Sequence, residues 1–313
     1  MNNSAVRAGS DPIEAVQPRI LITGSNGQVG RELVELCREG KIPFVAYDSQ
    51  QLDITDNDAV FAEIKTQQPT AVINAAAYTA VDNAESEVSK AYAVNKEGAK
   101  NLAIACEELN AVLVHISTDY VFDGKKDGPY RDTDKTNPVS VYGASKLAGE
   151  RAVVEFCSKY FIVRVSWVFG QYGNNFVKTM LGLAKEHTDL KVVDDQFGAP
   201  TSANQIAEKL VTLITSANIN YGTYHLESNP GVTWYEFANK IFQYAYEAKI
   251  IKNIPRVHPV DSAQYPTPVT RPKNSKLASS PQFDLGSVDW EKGLAKLLLR
   301  NSFCRDLMPE DGR

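Results

Sequence analysis

Apolar and polar residues follow two different patterns along the chain from Arg19 onwards. Short runs of apolar residues, rich in β-branched side chains, alternate with longer stretches in which apolar residues recur every three or four positions. The short runs predict buried strands, and the longer stretches predict amphipathic helices. Strands and helices that alternate in this way form βαβ units, in which helices cover both faces of a parallel sheet. We therefore predict a doubly wound α/β fold.

The predicted elements follow one another regularly as far as residue 170. Strands are predicted in RILITG, PFVAYD, TAVINAAAY, AVLVHISTDYVF and YFIVRVSWVFG, and helices in RELVELCREG, AVFAEIKTQ, VSKAYAVNKEGAKNLAIACEELN and residues 142–156. After Gly170 the alternation is less regular, although helices are predicted in NNFVKTMLGLAKEH, TWYEFANKIFQYAYEA and WEKGLAKLLLR. We predict a first domain over residues 18–170, and a smaller mixed α/β domain formed mainly by residues 171–300, part of which returns to the sheet. We expect residues 1–17 to be a disordered extension and residues 301–313 a loose tail.

Composition and charge argue against several classes of protein. The net charge of the 313-residue chain is −5, without a basic run or a basic-aromatic stripe, so we expect no nucleic-acid partner. The N-terminal stretch has no long apolar run, which argues against a signal peptide or a membrane span. The four cysteines are far apart and the four histidines lack metal-ligand spacing. A cytoplasmic protein without a disulfide framework is predicted.

Three glycines follow the first predicted strand, in the spacing G-x-x-G-x-x-G. Glycine lets the backbone turn tightly and approach a pyrophosphate, which then binds N–H groups at the start of the next helix. Between the first strand and helix of a βαβ series, this pattern favours a dinucleotide site over a merely structural turn. The first domain is therefore predicted to be a dinucleotide-binding Rossmann-type domain. Its predicted cofactor contacts are Gly24, Asn26, Gly27, Gln28, Val29, Gly30, Asp48, Asp53, Ala75, Ala76 and Ala77, together with Tyr142 and Lys146.

The end of the second predicted strand bears on which dinucleotide binds. Asp48 has the spacing expected of a carboxylate that binds the ribose, which favours NAD and repels a 2′-phosphate. An ordinary aspartate at the end of a strand is the alternative. Arg31 could instead meet a phosphate, so NADH and NADPH both stay open, with a slight preference for NADH. Asp53 could serve the adenine.

Tyr142 and Lys146, in VYGASKLAGE, lie one helical turn apart and therefore on one helix face. An ammonium stabilises a phenolate and lowers the pKa of the phenol, so such a pair is suited to proton transfer. The alternative is a chance pair on an exposed helix. Ser117 and Thr118 favour the site, because they end the fourth predicted strand, where ligands bind in such sheets. Thr118 could hold a carbonyl oxygen beside the Tyr142 hydroxyl.

The chain resembles the extended short-chain dehydrogenase/reductases in GSNGQVG, NAAAYTAVDNAE, ISTDYVFDG, VYGASKLAGE and RVSWVFG. Within them it is most similar to the dTDP-4-dehydrorhamnose reductases, which VVDDQFGAPT, TWYEF and YPTPVTRPKNSKL also resemble. The resemblance covers residues 19–299. It implies NAD(P)H-dependent reduction of the C4 keto group of a nucleotide sugar, dTDP-4-dehydro-L-rhamnose, to dTDP-L-rhamnose.

The resemblance also implies roles for individual residues. The implied catalytic residues are Thr118, Tyr142 and Lys146, and the implied substrate contacts are Asp119, Tyr120, Trp167, Asn175, Arg271 and Asn274. Trp167 could instead be a core aromatic residue, and Arg271 a solvated loop charge. Some members of the family use Mg²⁺ at a dimer interface built from acidic residues, and Glu32 matches one such position. No full ligand set is identified, so Mg²⁺ stays open, as does the choice between monomer and homodimer.

Two other functions stay open. An epimerase or dehydratase of the same superfamily retains NAD and oxidises its nucleotide sugar first. Dehydratases place acidic residues beside the active-site Ser or Thr, and here Asp119 follows Thr118. The non-catalytic regulatory subunit of methionine adenosyltransferase also has this fold and the Tyr-x-x-x-Lys pattern, but departs from the reductases near SW. Since Thr118 and Trp167 both follow the reductase pattern, catalysis is favoured.

Overall fold

A parallel six-stranded sheet forms the centre of the protein, in the strand order β11-β6-β4-β3-β1-β2. The computed structural model describes residues 18–216, 220–279, 284–300 and 303. The strands in chain order are β1 (Ile20–Thr23), β2 (Phe44–Tyr47), β3 (Ala71–Asn74), β4 (Val112–Thr118), β5 (Tyr130–Arg131), β6 (Tyr160–Val165), β7 (Val168–Phe169), β8 (Asp189–Val193), β9 (Phe197–Gly198), β10 (Thr201–Ser202), β11 (Gly222–His225), β12 (Ser228–Asn229), β13 (Val232–Thr233), β14 (Arg256–Val260), β15 (Leu277–Ala278) and β16 (Val288–Asp289).

The described helices include those that cover both faces of this sheet. In chain order they are α1 (Gln28–Glu39), α2 (Asn57–Gln67), α3 (Val81–Ala84), α4 (Val88–Tyr92), α5 (Ala99–Glu108), α6 (Val141–Phe156), α7 (Phe176–Glu186), α8 (Ala203–Thr215), α9 (Trp234–Glu247) and α10 (Trp290–Leu298). A π-helical stretch, Ala93–Gly98, joins α4 to α5, and 3-10 turns lie at Asp119–Val121 and Ser262–Gln264.

The two faces of the sheet have separate apolar cores, because alternate residues of a strand point to opposite sides. Ile20 and Ile22 of β1 pack in one cluster with apolar residues of α1 and α8. Leu21, between them, packs in another cluster with residues of α2, α5 and α6. This arrangement confirms the predicted doubly wound α/β fold.

The second half of the chain contributes one strand to the sheet and helix α8 to one of its faces, and it also builds a separate apolar cluster. Strand β11 pairs in parallel with β6 at the sheet edge. Helices α7, α9 and α10 surround an apolar cluster that includes Phe237 and Trp290, both fully buried. The proline-rich segment after residue 254 includes β14, which pairs with β8 and which the sequence pattern did not indicate. The domain boundary at residue 170 stays a prediction.

Some predictions concern parts of the chain outside this description. Residues 1–17 and, apart from Phe303, residues 301–313 lie outside the described residues, as therefore do the predicted extension and tail. Within the described ranges, no helix combines the length and apolar character needed to cross a membrane.

Candidate active site

Three neighbouring cavities lie at the carboxyl ends of the central strands. We name them the glycine-turn, central and outer cavities, and their volumes are about 480, 570 and 800 Å³. The glycine-turn and central cavities share a wall formed by Gly27 and residues 75–77. The central and outer cavities share Val81, Tyr120 and Asn174. The three spaces therefore form one groove in which two ligands can meet at the central cavity.

Most of the predicted site residues line this groove. The glycine-turn cavity is lined by Gly24, Asn26, Gly27, Asp48, Asp53, Ala75, Ala76 and Ala77. The central cavity is lined by Gln28, Val29, Thr118, Asp119, Tyr120, Tyr142, Lys146 and Trp167, and the outer cavity by Tyr120, Asn175 and Arg271. Residues 75–77 line both the glycine-turn and the central cavities, because β3 ends at Asn74, earlier than the predicted strand.

The glycine turn has the geometry that a dinucleotide pyrophosphate needs. Gly24 has a φ of +69°, and a Cβ there would lie 2.5 Å from the main-chain nitrogen of Ala76. A Cβ on Gly30 would lie 2.1 Å from the Gly24 carbonyl oxygen, so only glycine allows helix α1 to pack this closely. Helix α1 starts after Gly27 without a side-chain cap and without an acidic residue in its first turn. Its first N–H groups therefore suit an anion.

Asp48 is fixed in the wall of the glycine-turn cavity, as expected of a ribose-binding carboxylate. It accepts hydrogen bonds from the amide of Asn26 (2.6 Å) and from the main-chain N–H of Gln50 (2.9 Å). Arg31, the alternative phosphate partner, lies instead over the ring of Tyr172, 5.3 Å from its centre. These hydrogen bonds hold the side chain of Asp48 in the cavity wall, and NADH and NADPH both stay open.

Helix α6 brings Tyr142 and Lys146 to the central cavity. The helix begins after Ser140, whose hydroxyl accepts a hydrogen bond from the N–H of Gly143 (3.0 Å). Tyr142 therefore lies in the first turn and Lys146 one turn later, and both line the cavity together with Thr118 at the end of β4. The predicted catalytic residues are thus brought together.

The Tyr142 phenol is held in its protonated form. Desolvation raises its pKa above the ordinary value, and the nearby Asp119 raises it further, whereas a hydrogen bond with Thr118 lowers it. The Thr118 hydroxyl also donates to the carboxylate of Asp119 (3.0 Å). Tyr142 is therefore fully protonated at neutral pH, as a proton donor must be.

Lys146 is buried, with 2% of its surface exposed. Burial lowers its pKa to about 8, and Glu150 opposes that change. Its Nζ donates to the carbonyl oxygen of Ile116 (2.6 Å), so the ammonium is directed to the main chain of β4. The sequence predicted that Lys146 lowers the pKa of Tyr142, but Tyr142 has a raised pKa in this structure, dominated by desolvation.

Asp119 is a buried carboxyl group beside the reacting groups, with 3% of its surface exposed. Desolvation raises its pKa to about 7, although hydrogen bonds with Thr118 and Ser275 lower it. Among the described residues, its Oδ2 has no hydrogen-bond partner. This oxygen is therefore an unpaired buried polar atom of a residue that lines the central cavity.

Ser117 makes a different contact from the one expected. Its hydroxyl donates to Glu150 (2.5 Å), and Glu150 also pairs with Arg164 through contacts of 2.7 and 2.9 Å. The pair is buried and joins helix α6 to β6, and the hydrogen bond from Ser117 adds the end of β4 to it. Ser117 lines the central cavity, but its hydroxyl proton is engaged by Glu150, so it anchors the strand.

Arg271 lies in the wall of the outer cavity rather than in solvent. Its guanidinium pairs with Asp82 (2.6 Å) and lies 3.5 Å from the hydroxyl of Tyr120. The ring of Tyr120 meets that of Tyr142 edge to face, at 5.5 Å. Sequence reasoning did not single out Asp82, although NAAAYTAVDNAE, one of the motifs that carry the resemblance, contains it.

Two stacked tryptophans form an aromatic wall beside these residues. Trp167 interrupts the predicted strand between β6 and β7, with a φ of +45° that a bulky residue rarely adopts. Its ring stacks on Trp234, with 3.5 Å between ring centres and 7° between planes. Trp167 lines the central cavity and Trp234 the outer cavity. Trp234 was missed as a site residue, although it lies in the motif TWYEF.

The two predicted asparagine contacts have different surroundings. Asn175 lines the outer cavity, caps helix α7, and donates to the side chain of Gln28 (3.1 Å). Asn274 donates to the carbonyl oxygens of Lys126 (2.9 Å) and Gly128 (2.6 Å). Asn274 therefore holds a loop beside the site, and its role as a direct substrate contact stays a prediction.

Glu32 does not offer a free carboxylate for Mg²⁺. It is buried and accepts two hydrogen bonds from Arg300, of 2.9 and 3.1 Å. Desolvation raises the pKa of Glu32, and the arginine opposes this rise. Across the described ranges, no group of three or more His, Cys, Asp or Glu side chains could hold a metal ion. Within one chain, the described residues around Glu32 therefore do not form a Mg²⁺ site by themselves.

The sheet, the glycine turn and the central cavity define an oxidoreductase of the extended short-chain dehydrogenase/reductase class, which uses a nicotinamide dinucleotide. The chain belongs to the family described as the RmlD substrate binding domain, which matches residues 18–302. This match covers nearly all of the described part of the chain.

Named relatives agree with this assignment. A dTDP-4-dehydrorhamnose reductase of Aggregatibacter actinomycetemcomitans is 46% identical over 287 residues, covering 89% of this chain and 98% of the relative. The crystal structure of a dTDP-4-dehydrorhamnose reductase from Bacillus anthracis, in complex with NADP, has a TM-score of 0.84 and 40% identity, covering 91% of this chain and 99% of that chain. The corresponding protein of Clostridium acetobutylicum has a TM-score of 0.83 and 39% identity, covering 93% and 100%.

Proposed function

We propose that this protein reduces the C4 keto group of dTDP-4-dehydro-L-rhamnose to give dTDP-L-rhamnose, with NADH or NADPH as reductant. One observation carries the proposal: Thr118, Tyr142 and Lys146 line the central cavity, which adjoins the glycine-turn cavity on one side and the outer cavity on the other. The relatives named as dTDP-4-dehydrorhamnose reductases support the choice of substrate.

The groove fits a dinucleotide along its first two cavities. The N–H groups at the start of α1 would hold the pyrophosphate, Asp48 the ribose of the adenosine half, and the central cavity the nicotinamide. When bound, the reduced nicotinamide supplies the hydride that the C4 carbon receives. The protein residues position the sugar and supply the proton.

We assign the proton to Tyr142. As negative charge develops on the sugar oxygen, the phenol gives its proton to that oxygen, and Thr118 orients the oxygen by a hydrogen bond. Desolvation keeps the phenol protonated before the reaction. The ammonium of Lys146, on the same helix face, stabilises the phenolate that remains.

We assign the outer cavity to the nucleotide sugar. Arg271 can leave Asp82 for the diphosphate, since a guanidinium binds carboxylate and phosphate oxygens with the same bidentate geometry. The tryptophan pair provides a flat apolar surface for the sugar ring and its methyl group. We assign Asp119, which lines the central cavity, to a sugar hydroxyl.

We place this reaction in the cytoplasm, in a monomer or homodimer that binds neither nucleic acid nor membrane. The described cysteines Cys37, Cys106 and Cys157 are free thiols, which supports a reducing compartment. The engagement of Glu32 by Arg300 supports a reaction that needs no Mg²⁺.

The test is an assay of cofactor oxidation with dTDP-4-dehydro-L-rhamnose, run with NADH and with NADPH, with and without EDTA. We expect one NAD(P)H to be consumed for each sugar reduced, and an unchanged rate in EDTA. An epimerase or dehydratase would convert its sugar without stoichiometric consumption, and a non-catalytic regulatory subunit would consume none. Either of those results contradicts the proposal.

A further inference from the structure

A chain of buried hydrogen bonds runs beneath the central cavity, across three strands, to Lys146. The hydroxyl of Thr23 in β1 donates to Oδ1 of Asn74 in β3 (2.8 Å). The amide nitrogen of Asn74 lies 3.0 Å from Nδ1 of His115 in β4. Nε2 of His115 lies 3.5 Å from Nζ of Lys146. The four residues linked by these hydrogen bonds are all at most 2% exposed.

The orientation of the Asn74 amide is fixed by the main chain. The N–H of Ala76, which can only donate, points at Oδ1 of Asn74 (3.1 Å). Oδ1 must therefore be the acceptor on that side, together with the contact from Thr23. The NH₂ group of Asn74 then faces His115, and it has only protons to offer.

This orientation determines the tautomer of His115. Since Asn74 donates to Nδ1, that nitrogen must carry a lone pair, and the single proton of the neutral imidazole is on Nε2. In a doubly protonated ring, the N–H at Nδ1 would face the N–H of Asn74, so two donors would meet without an acceptor. Burial, and secondarily the charge of Lys146, hold the pKa of His115 well below its usual range, which agrees with a neutral ring.

His115 therefore presents an N–H group to the nitrogen of Lys146. A lysine ammonium has three donors and no acceptor, whereas the neutral amine has a lone pair that can accept. The contact with His115 thus stabilises only the neutral amine. Glu150, one turn further along α6, acts in the opposite direction. Tyr142 on the same helix, and Asp119 and Tyr120 beyond β4, are ionisable groups that also line the central cavity.

We propose that Asn74 and His115 are positioning residues that hold an N–H toward Lys146 and favour its neutral amine, so that Lys146 readily returns a proton to Tyr142 after each turnover. In that step an N–H bond of the ammonium breaks and the O–H bond of the phenol forms. Water then restores the proton to the amine. The inference rests on the proposed proton donor, but the tautomer itself can be measured without any substrate.

The first experiment is ¹⁵N NMR of the full-length protein labelled at histidine, recorded from about pH 6 to 10 around the reference pKa values of the groups involved. The chain has four histidines, so four pairs of ring signals are expected. The His115 pair, identified by its loss in His115→Gln, should show protonated Nε2 and unprotonated Nδ1 throughout. Its Nε2 signal should shift once, as Lys146 loses its proton. A protonated Nδ1 overturns the proposal, whatever the enzymatic activity.

The second experiment reverses the tautomer with Asn74→Asp. A carboxylate can only accept, so Nδ1 of His115 must take the proton, and the Nε2 lone pair then accepts from the Lys146 ammonium. Wild-type kcat should fall above about pH 8, where Lys146 loses its proton. We call this fall in kcat at high pH the basic limb of the pH profile. In the variant the basic limb should move to higher pH by about one unit or more, since the ammonium is now stabilised.

Thr23→Val is the matched control, because it removes one donor to Asn74 while the Ala76 N–H keeps the amide in place. It should change neither the tautomer nor the basic limb. A folded Asn74→Asp protein with an unmoved limb contradicts the proposal. So does a moved limb with the proton still on Nε2, because the new charge would then act directly on Lys146.

Discussion

The two halves of the chain place their site residues by different means. In the first half, the residues follow the ends of parallel strands: Gly24 follows β1, Ala75 follows β3, and Thr118 ends β4. Residues of the second half instead hold the site through pairs with residues of the first half, as Trp234 does with Trp167 and Arg271 with Asp82. A periodic pattern is sufficient to place strands side by side in a regular sheet. A site built from pairs depends on contacts between residues far apart in sequence.

The first half should contain the chemistry, so the largest effect is expected from Tyr142→Phe. Loss of the proton donor should lower kcat by about 10²- to 10⁴-fold, while the affinity for NADPH stays nearly unchanged. Steady-state kinetics and cofactor titration measure both. Tyr246→Phe, at an exposed position of α9, is the control and should behave as wild type. Unchanged turnover in Tyr142→Phe contradicts the assignment.

Gly24→Ala tests whether cofactor binding in the first half requires the close backbone packing at the glycine turn. The new Cβ would lie 2.5 Å from the Ala76 nitrogen, at a φ of +69°. We expect a loss of stability of about 1–3 kcal/mol and weaker cofactor binding, measured by thermal unfolding with and without NADPH. Gly128→Ala is the matched control, because it shares the positive φ (+87°) but meets no atom within 4 Å. If both variants bind NADPH equally well, close packing at the glycine turn is not required.

Arg271→Ala tests the second half. Loss of a charged hydrogen bond to the nucleotide sugar, worth about 1.5–3 kcal/mol, should raise KM for the sugar by about 10- to 100-fold. The change in kcat should be smaller, since Arg271 does not touch the reacting atoms. Lys296→Ala, which removes an exposed ion pair with Glu208, should leave KM unchanged. A fall in kcat without a rise in KM would mean that Arg271 acts in the chemical step, which would contradict the binding role assigned to the second half.

Asp48→Asn should have the smallest effect, and it acts on cofactor choice rather than on turnover. Removing the negative charge should raise the ratio of NADPH to NADH efficiency by about tenfold, equivalent to about 1.4 kcal/mol. The ratio of kcat/KM for the two cofactors measures it, with Asp58→Asn, in the first turn of α2, as the control. An unchanged ratio would mean that Asp48 does not meet the ribose.

The two halves also differ in how far the sequence predicted them. Apolar periodicity, the glycine spacing and the four-residue spacing of Tyr142 and Lys146 were sufficient to predict the sheet, the tight glycine turn and the shared helix face of that pair, because these depend on local patterns. Periodicity does not show that β3 stops at Asn74, or that Trp167 turns with a positive φ. Both features depend on packing partners elsewhere in the chain.

Partners that only the fold reveals explain the remaining differences. Arg271 meets Asp82 across 189 positions, and Glu32 meets Arg300 across 268, so neither pair leaves a local signal. No local pattern indicates that the carbonyl of Ile116 accepts a hydrogen bond from the Lys146 ammonium. The roles of these residues depend on such distant contacts, which a single sequence does not display.

The most direct test of the account is a crystal structure of the protein with NADP⁺ and dTDP-L-rhamnose. We predict that the hydroxyl oxygen of Tyr142 lies within about 3.2 Å of the sugar O4, with the C4 carbon against the nicotinamide ring. A Tyr142 side chain that points away from the sugar, or a nicotinamide bound outside the central cavity, would contradict it.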